Sequence, residues 1–258
     1  MGILNATPDS FYDGGKNNSI EAALQRAEEI LTQGGDIIDI GAASTRPGAT
    51  EISIDEELQR LLPVVKAIAN EFPDAILSVD TYRAFVAEEA IKAGAHIIND
   101  IAGGTMDAAM FATVAKLHVP YILMHIQGTP QTMQQNPEYT NVVAEVLLSL
   151  SQKINELKRL GVADIIIDPG FGFGKTTEHN YQLLSNLKQL QLLGCPILAG
   201  VSRKGMINKV LGTTPDQALN GTTVVNTLAL ENGASILRVH DVKEAVEAVA
   251  LWNFSQSV

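Results

Sequence analysis

Cysteine is nearly absent: Cys195 is the single thiol in 258 residues, so no intrachain disulfide can form. Aromatic residues are scarce, at 5%, and positive charge is short, with 18 Lys and Arg against 29 Asp and Glu. The formal charge of −11 opposes non-specific binding to nucleic acid or to an anionic membrane, and so few aromatics leave little for a base-stacking surface. No uninterrupted apolar run approaches the ~20 residues of a membrane span. Met1-Gly2-Ile3-Leu4-Asn5 lacks a basic region followed by an apolar one, so no secretory leader is expected and a cytoplasmic location is. Also missing is any Pro-, Gly- or Ser-rich tract or block of one charge, which, with 46% apolar residues, excludes a disordered or fibrous chain.

What is present is an alternation of short apolar runs with longer amphipathic segments, the mark of βα units around a parallel sheet. The runs are Gly2–Leu4, Ile37–Ile40, Ile76–Val79, His96–Ile98, Tyr121–Met124, Ile165–Ile167, Ile197–Val201 and Ile236–Val239. They are nearly continuous in Ile, Leu and Val, as strands covered on both faces should be. Helices are predicted from Ser19 at a cap position to Gly34, over Ser53–Asn70 with apolar residues at helical spacing, and over Val142–Leu160 and Val242–Trp252. Eight such units with no domain-sized remainder predict one (β/α)8 TIM barrel over residues 1–258, an open doubly wound sheet being the alternative. Two connections, Thr7 to Asn18 and Gly41 to Glu51, are long and Gly-rich, as functional loops often are.

In such a barrel the chemistry gathers at the carboxyl ends of the strands. The residues there are Asn5, Asp39, Asp80, Asn99 with Asp100, His125, Asp168, Ser202-Arg203-Lys204, and Arg238 with His240. One polar residue after a strand is usually a turn or a cap. Eight in register suit a polar heterocycle on one side and an anion on the other. Arg46, Arg203, Lys204, Arg238 and His240 are the candidate cations; Arg238 and His240 lie on one side of a strand by its two-residue period and can reach one diphosphate, or else Arg238 pairs with Asp241 or a neighbouring helix. An ionised carboxylate accepts two hydrogen bonds side by side and so reads an N–H beside an NH2, as in a 2-aminopyrimidinone. Asp80 and Asp168 could do this, with Asn99 and Lys204 reading the remaining ring atoms. The structural alternative is that Asp80 caps the next helix and Asp168-Pro169 starts a turn.

Two strings, Asn5-Ala6-Thr7-Pro8-Asp9-Ser10-Phe11 with Asp13-Gly14-Gly15, and Asp39-Ile40-Gly41-Ala42-Ala43-Ser44-Thr45-Arg46-Pro47-Gly48, resemble the mobile loops of the dihydropteroate synthase family. Ser78-Val79-Asp80-Thr81, Ile98-Asn99-Asp100, Met124-His125, Asp168 through Lys175, Ser202-Arg203-Lys204 and Arg238-Val239-His240-Asp241 continue the resemblance in the same order over essentially the whole chain. The resemblance implies a (β/α)8 fold and the Mg²⁺-dependent joining of 4-aminobenzoate to hydroxymethyl-7,8-dihydropterin diphosphate, a step of folate biosynthesis and the target of sulfonamides. It places Asp80, Asn99, Asp168 and Lys204 around the pterin, with Ile101 and Met124 as apolar packing, and Thr45, Arg238 and His240 at the diphosphate. It places Phe11, Arg46, Pro47, Phe173, Lys204 and Gly205 at 4-aminobenzoate, and Asn5 at Mg²⁺. Gly205 stands where the family often has Ser, which would leave the benzoate carboxylate to backbone N–H groups at a helix start. Ala43 stands where many members have Glu, and relatives usually carry residues before the first strand.

The implied reaction is dissociative. Asp80, Lys204, Arg238 and His240 are the expected catalytic residues, stabilising a pterin methylene cation or the departing diphosphate. A related pterin-barrel methyltransferase acting on a corrinoid would share Asp80, Asn99 and Asp168 but not the Thr45–Gly48 loop or the diphosphate cluster. Lys204 could instead act as a Schiff-base lysine, and a non-catalytic pterin-binding protein would keep the same pocket without turnover. Small-molecule substrates and a homodimer through the late helices are the partners expected by resemblance. Cys195, His96, His118, His179 and Trp252 read as packing, surface or capping residues.

Overall fold

A computed structural model describes residues 1–6, 15–43, 52–133 and 135–258, and for 15–19 the backbone only. Six parallel strands stand in sequence order: β1 (Gly2–Asn5), β2 (Ile37–Gly41), β3 (Ile76–Asp80), β4 (Ile97–Asp100), β5 (Tyr121–Met124) and β6 (Ile165–Asp168). Two short strands follow, β7 (Leu198–Ala199) paired in parallel with β8 (Ile236–Leu237). Single bridges join Ile167 to Ile197 and Gly2 to Val239, so the strands close into a barrel. At the second seam Ile3 N donates to Val239 O and Val239 N to Met1 O, both at 2.9 Å. Closure therefore uses the short first strand as it stands.

The helices lie between the strands: α1 (Gly15–Thr32), α2 (Ile54–Glu71), α3 (Ala84–Lys92), α4 (Met110–Leu117), α5 (Val142–Arg159), α6 (Thr177–Ser185), α7 (Gly205–Leu211), α8 (Leu219–Glu231) and α9 (Val242–Ser255). α2 starts where expected, and Ser53 caps it, accepting from Glu56 N at 3.1 Å. Ser19 is not at the start of α1; the helix begins four residues earlier, at Gly15. The helix ends before Gly34, whose φ of +89° suits glycine. Among the described residues no helix is long and apolar enough to cross a membrane.

Alternation along each strand builds two apolar layers. Residues facing out, among them Ile38, Ile40, Leu77, Val79, Ile98, Leu123 and Ile167, are buried against the helices with Ile30, Leu61, Ile68, Val114, Val146 and Leu150. Residues facing in at the amino ends form a separate plug in which Ile97, Ile122 and Leu198 are buried, with Ile37, Ile166 and Ile236 packed on them. Each such side chain, fully buried, stabilises the fold by roughly 1.5–3 kcal/mol. The plug supports the mouth above it.

Candidate active site

Two residues further along the same strands, the inward positions become polar. Asp39 follows Ile37, Asn99 follows Ile97, Asp168 follows Ile166 and Arg238 follows Ile236, so the two-residue period carries them to one face. Arg238 Nε donates to Asp39 Oδ2 at 2.6 Å and its Nη2 donates to Asp80 Oδ2 at 2.9 Å. Asn99 Nδ2 donates to the same Asp39 oxygen at 3.1 Å. Lys204, Asp168 and Arg238 converge beside Gly200, where a Cβ would meet Lys204 Nζ at 3.8 Å, Asp168 Oδ2 at 3.9 Å and Arg238 Cβ at 4.0 Å. Asp80, Asn99, Asp168, Lys204 and Arg238 are thus brought together at the carboxyl end of the barrel.

One wall of this mouth is apolar: Ile101, Met124, Ile126 and Met133 are buried together, with Tyr82 and Phe173 packed against them. The Lys204 ammonium lies 4.7 Å from the centre of the Phe173 ring and donates to the Phe171 carbonyl. A flat ring system could therefore rest on apolar side chains while its polar edge meets carboxylates and an amide. Asn5 ends β1 with its side chain exposed at the same end. Gly205 is exposed and is the first residue of α7, behind the cap position of Lys204. Phe11, Thr45, Arg46 and Pro47 lie outside the described residues.

Burial sets the protonation of this cluster. It pushes Asp80 up to about 7; Arg238 pulls the other way, and Asp39, Glu57 and Asp100 add to the rise. Asp168 is also raised by burial, against the pull of Lys204. Burial lowers Lys204 to about 8 even though Asp168 opposes this. Arg238, held by two carboxylates, stays charged.

Several expectations need correction. His240 is not a cation here: burial, with Arg238 next in weight, lowers it to about 4, so it meets a ligand as a neutral imidazole. Arg203 does not serve the mouth. It is spent on Asp241, through Nε to Oδ2 at 2.9 Å and Nη2 to Oδ1 at 2.7 Å. The Arg238 ion pairs are with Asp39 and Asp80 rather than Asp241. Asp80 does not cap α3, since Asp107 Oδ2 accepts from Ala84 N at 2.7 Å in that role. Asp100 points into the helix layer, where Tyr121 Oη donates to it at 2.6 Å. Asp168 does make its turn, accepting from Gly170 N at 2.7 Å through Oδ1.

The role of His125 follows from its donors. The Lys175 ammonium, 3% exposed, lies 3.0 Å from each of Gly170 O, Phe173 O and His125 Nδ1. Burial lowers Lys175 to about 7, against the pull of Asp168; in its charged form it has three N–H donors, all three are used, and His125 accepts through Nδ1 as a neutral ring. Burial and the charges of Lys175 and Lys153 lower His125 to about 3, which suits that role. His125 is a support of the 170–173 loop. That loop also demands glycine at 170, where φ is +72° and a Cβ would sit 1.9 Å from the His125 carbonyl oxygen. Lys175 ends the motif that begins at Asp168, but nothing in its spacing shows that its own loop wraps around it.

Residues 1–240 match the family model described as "Pterin binding enzyme". The chain is 47% identical over 251 residues to the dihydropteroate synthase of Escherichia coli (strain K12), covering 96% of this chain and 88% of that one. Among solved structures, it resembles the Yersinia pestis dihydropteroate synthase in complex with a sulfonamide drug, with a TM-score of 0.93 and 45% identity over 100% of this chain and 94% of that one. The Xanthomonas albilineans dihydropteroate synthase with 4-aminobenzoic acid gives a TM-score of 0.92 and 42% identity over 100% and 92% of the two chains.

Proposed function

The chain belongs to the dihydropteroate synthase family of pterin binding enzymes, and from that premise we propose how its own residues join 4-aminobenzoate to hydroxymethyl-7,8-dihydropterin diphosphate to form 7,8-dihydropteroate. The observation that carries the proposal is the convergence of Asp80, Asn99, Asp168, Lys204 and Arg238 beside the apolar wall of Ile101 and Met124. The pterin lies on that wall. Asp168 accepts from its amidine-like edge, and Asn99 and Lys204 read the other ring heteroatoms. Arg238 and neutral His240 donate to the diphosphate, with Thr45.

Mg²⁺ fits the donors on offer. Among the described residues no group of three or more His, Cys, Asp or Glu could hold a metal by itself. Asn5 supplies one exposed amide oxygen, which suits an ion that keeps several waters and relies on substrate phosphates for other ligands. When bound, Mg²⁺ would supply charge neutralisation for the leaving diphosphate. Bond cleavage leaves a pterin methylene cation, which ionised Asp80 and Asp168 stabilise electrostatically. The amine of 4-aminobenzoate then attacks that carbon and loses a proton; no strong base is needed, because an arylamine is nucleophilic when neutral. Phe11, Arg46, Pro47 and Phe173 hold the benzoate, whose carboxylate meets the backbone N–H groups around Gly205. That the Xanthomonas relative is solved with 4-aminobenzoic acid supports this second substrate.

A homodimer is proposed through the late helices, where Val210, Leu211, Val224, Leu228, Leu251 and Phe254 are exposed. A cytoplasmic location is in keeping with a lone cysteine and soluble substrates. The deciding experiment follows diphosphate release and dihydropteroate formation with and without 4-aminobenzoate and Mg²⁺. Product that requires both is expected. Release without any dihydropteroate, and independent of Mg²⁺, would sink the proposal.

A further inference from the structure

Asp39 sits beneath the pterin and diphosphate residues and has no part in the reaction steps themselves. It is fully buried, and one of its oxygens, Oδ2, accepts from both Arg238 Nε at 2.6 Å and Asn99 Nδ2 at 3.1 Å. Its other oxygen, Oδ1, is buried with no partner among the described residues. An inaccessible carboxylate with a bare oxygen is costly unless a cation stays against it, so Asp39 and Arg238 stand as a unit.

We propose that Asp39 is a positioning residue, which turns Arg238 and Asn99 to face the pterin diphosphate in one direction only; the proposal rests on the dihydropteroate synthase reading above. The geometry is directional at both partners. Holding Arg238 by Nε leaves the two terminal nitrogens as its outward edge, and Nη2 already spans to Asp80 at 2.9 Å. A guanidinium free to rotate would lose that aim. At Asn99, only the NH2 group can donate to a carboxylate, so Asp39 selects one of the two amide orientations and leaves Asn99 Oδ1 to accept from the ligand. Asp39 thereby sets the donor and acceptor pattern of a residue it never replaces.

Its charge has a second consequence. Asp80 faces Arg238 just after β8, Asp39 from β2, Glu57 from α2 and Asp100 from β4. Arg238 in turn also faces Asp168 of β6, and Lys204 faces Asp80 and Asp168. Removing the charge of Asp39 takes away a like charge from Asp80 and a competitor for Arg238, so Asp80 ionises at lower pH.

The test compares Asp39→Asn and Asp39→Glu with the wild type, in steady-state dihydropteroate formation across pH, with folding checked by thermal unfolding. For Asp39→Asn we expect kcat to fall at least tenfold, KM for 4-aminobenzoate to stay within twofold, and the acid limb of kcat/KM for the pterin diphosphate to move to lower pH. Asp39→Glu keeps the charge but pushes Arg238 out of place, so kcat falls while the acid limb stays. A kcat within twofold of wild type in either variant, or an unmoved acid limb in folded Asp39→Asn, overturns the proposal. Failure of both variants to fold also overturns it, because the role would then be to hold the barrel together. A wild type that makes no dihydropteroate defeats the underlying reading instead, whatever the variants do.

Discussion

The plug and the mouth of the barrel are built on the same strands two residues apart, a rise of about 7 Å, and they are opposite in kind. Ile37, Ile97, Ile166 and Ile236 form or pack on the plug, whereas Asp39, Asn99, Asp168 and Arg238 line the mouth. The plug stabilises the fold and recognises nothing. The mouth works against the fold, since burial disfavours the charged forms of Asp80, Asp168 and Lys204. Stability and recognition have thus been divided along the strand axis, and a buried polar cluster is tolerated because an apolar layer lies directly below it.

That division can be tested by changing one layer at a time. The largest effect is expected from Lys204→Met, which removes the charge facing Asp168 and the donor to the Phe171 carbonyl. Its kcat/KM should fall about 10²–10³-fold, as for other preorganised donors, with no loss of unfolding midpoint. A drop in stability to match the drop in activity would show that the mouth also carries the fold. Next is Ile122→Ala in the plug, a fully buried side chain. It should lower stability by about 2–5 kcal/mol in denaturant titration and leave pterin affinity of the folded fraction unchanged; weaker binding would mean that the plug sets the mouth geometry.

A third and smaller effect concerns pH. Asp80 must be ionised to accept at both oxygens and to stabilise the pterin cation, and a pKa raised to about 7 means that this is lost as pH falls through 7. Lys204 must be charged to donate and attract, and a pKa lowered to about 8 means that this is lost as pH rises through 8. The kcat/KM for the pterin diphosphate should therefore be a narrow bell with its maximum between these limbs. Plug variants should keep the bell, and Lys204→Met should lose its alkaline limb. The smallest effect is expected from Gly200→Ala, because the new Cβ meets Lys204, Asp168 and Arg238 only at ordinary contact distances of 3.8–4.0 Å. A slight loss of pterin affinity by calorimetry is the expected result; a loss as large as that of Lys204→Met would place the ligand against the β7 backbone.

The strands and the residues that end them were legible because burial on both faces writes a continuous apolar run, and the residue after it is polar. Ile165–Ile167 followed by Asp168 is an example. The two last strands read longer than they are. Ile197–Val201 and Ile236–Val239 are apolar because they are buried, while regular pairing covers only Leu198–Ala199 and Ile236–Leu237. Asp100 shows the limit of reading strand ends alone: next to Asn99, it faces the opposite side by the strand period and bonds Tyr121. The state of His240 was illegible too, because the motif shows a titratable ring beside Arg238 but not the burial that, more than the arginine, keeps it neutral.

The sequence by itself determined the eight βα units, their order and which residues stand at the strand ends, since these depend on short periods that neighbouring residues impose. Only the tertiary structure decided which of those residues touch. Asp39 and Arg238 are 199 positions apart and meet because β8 closes on β1, and β1 on β2. The charges of Asp80 and Lys204 depend on the burial that closure creates, and no local spacing records it.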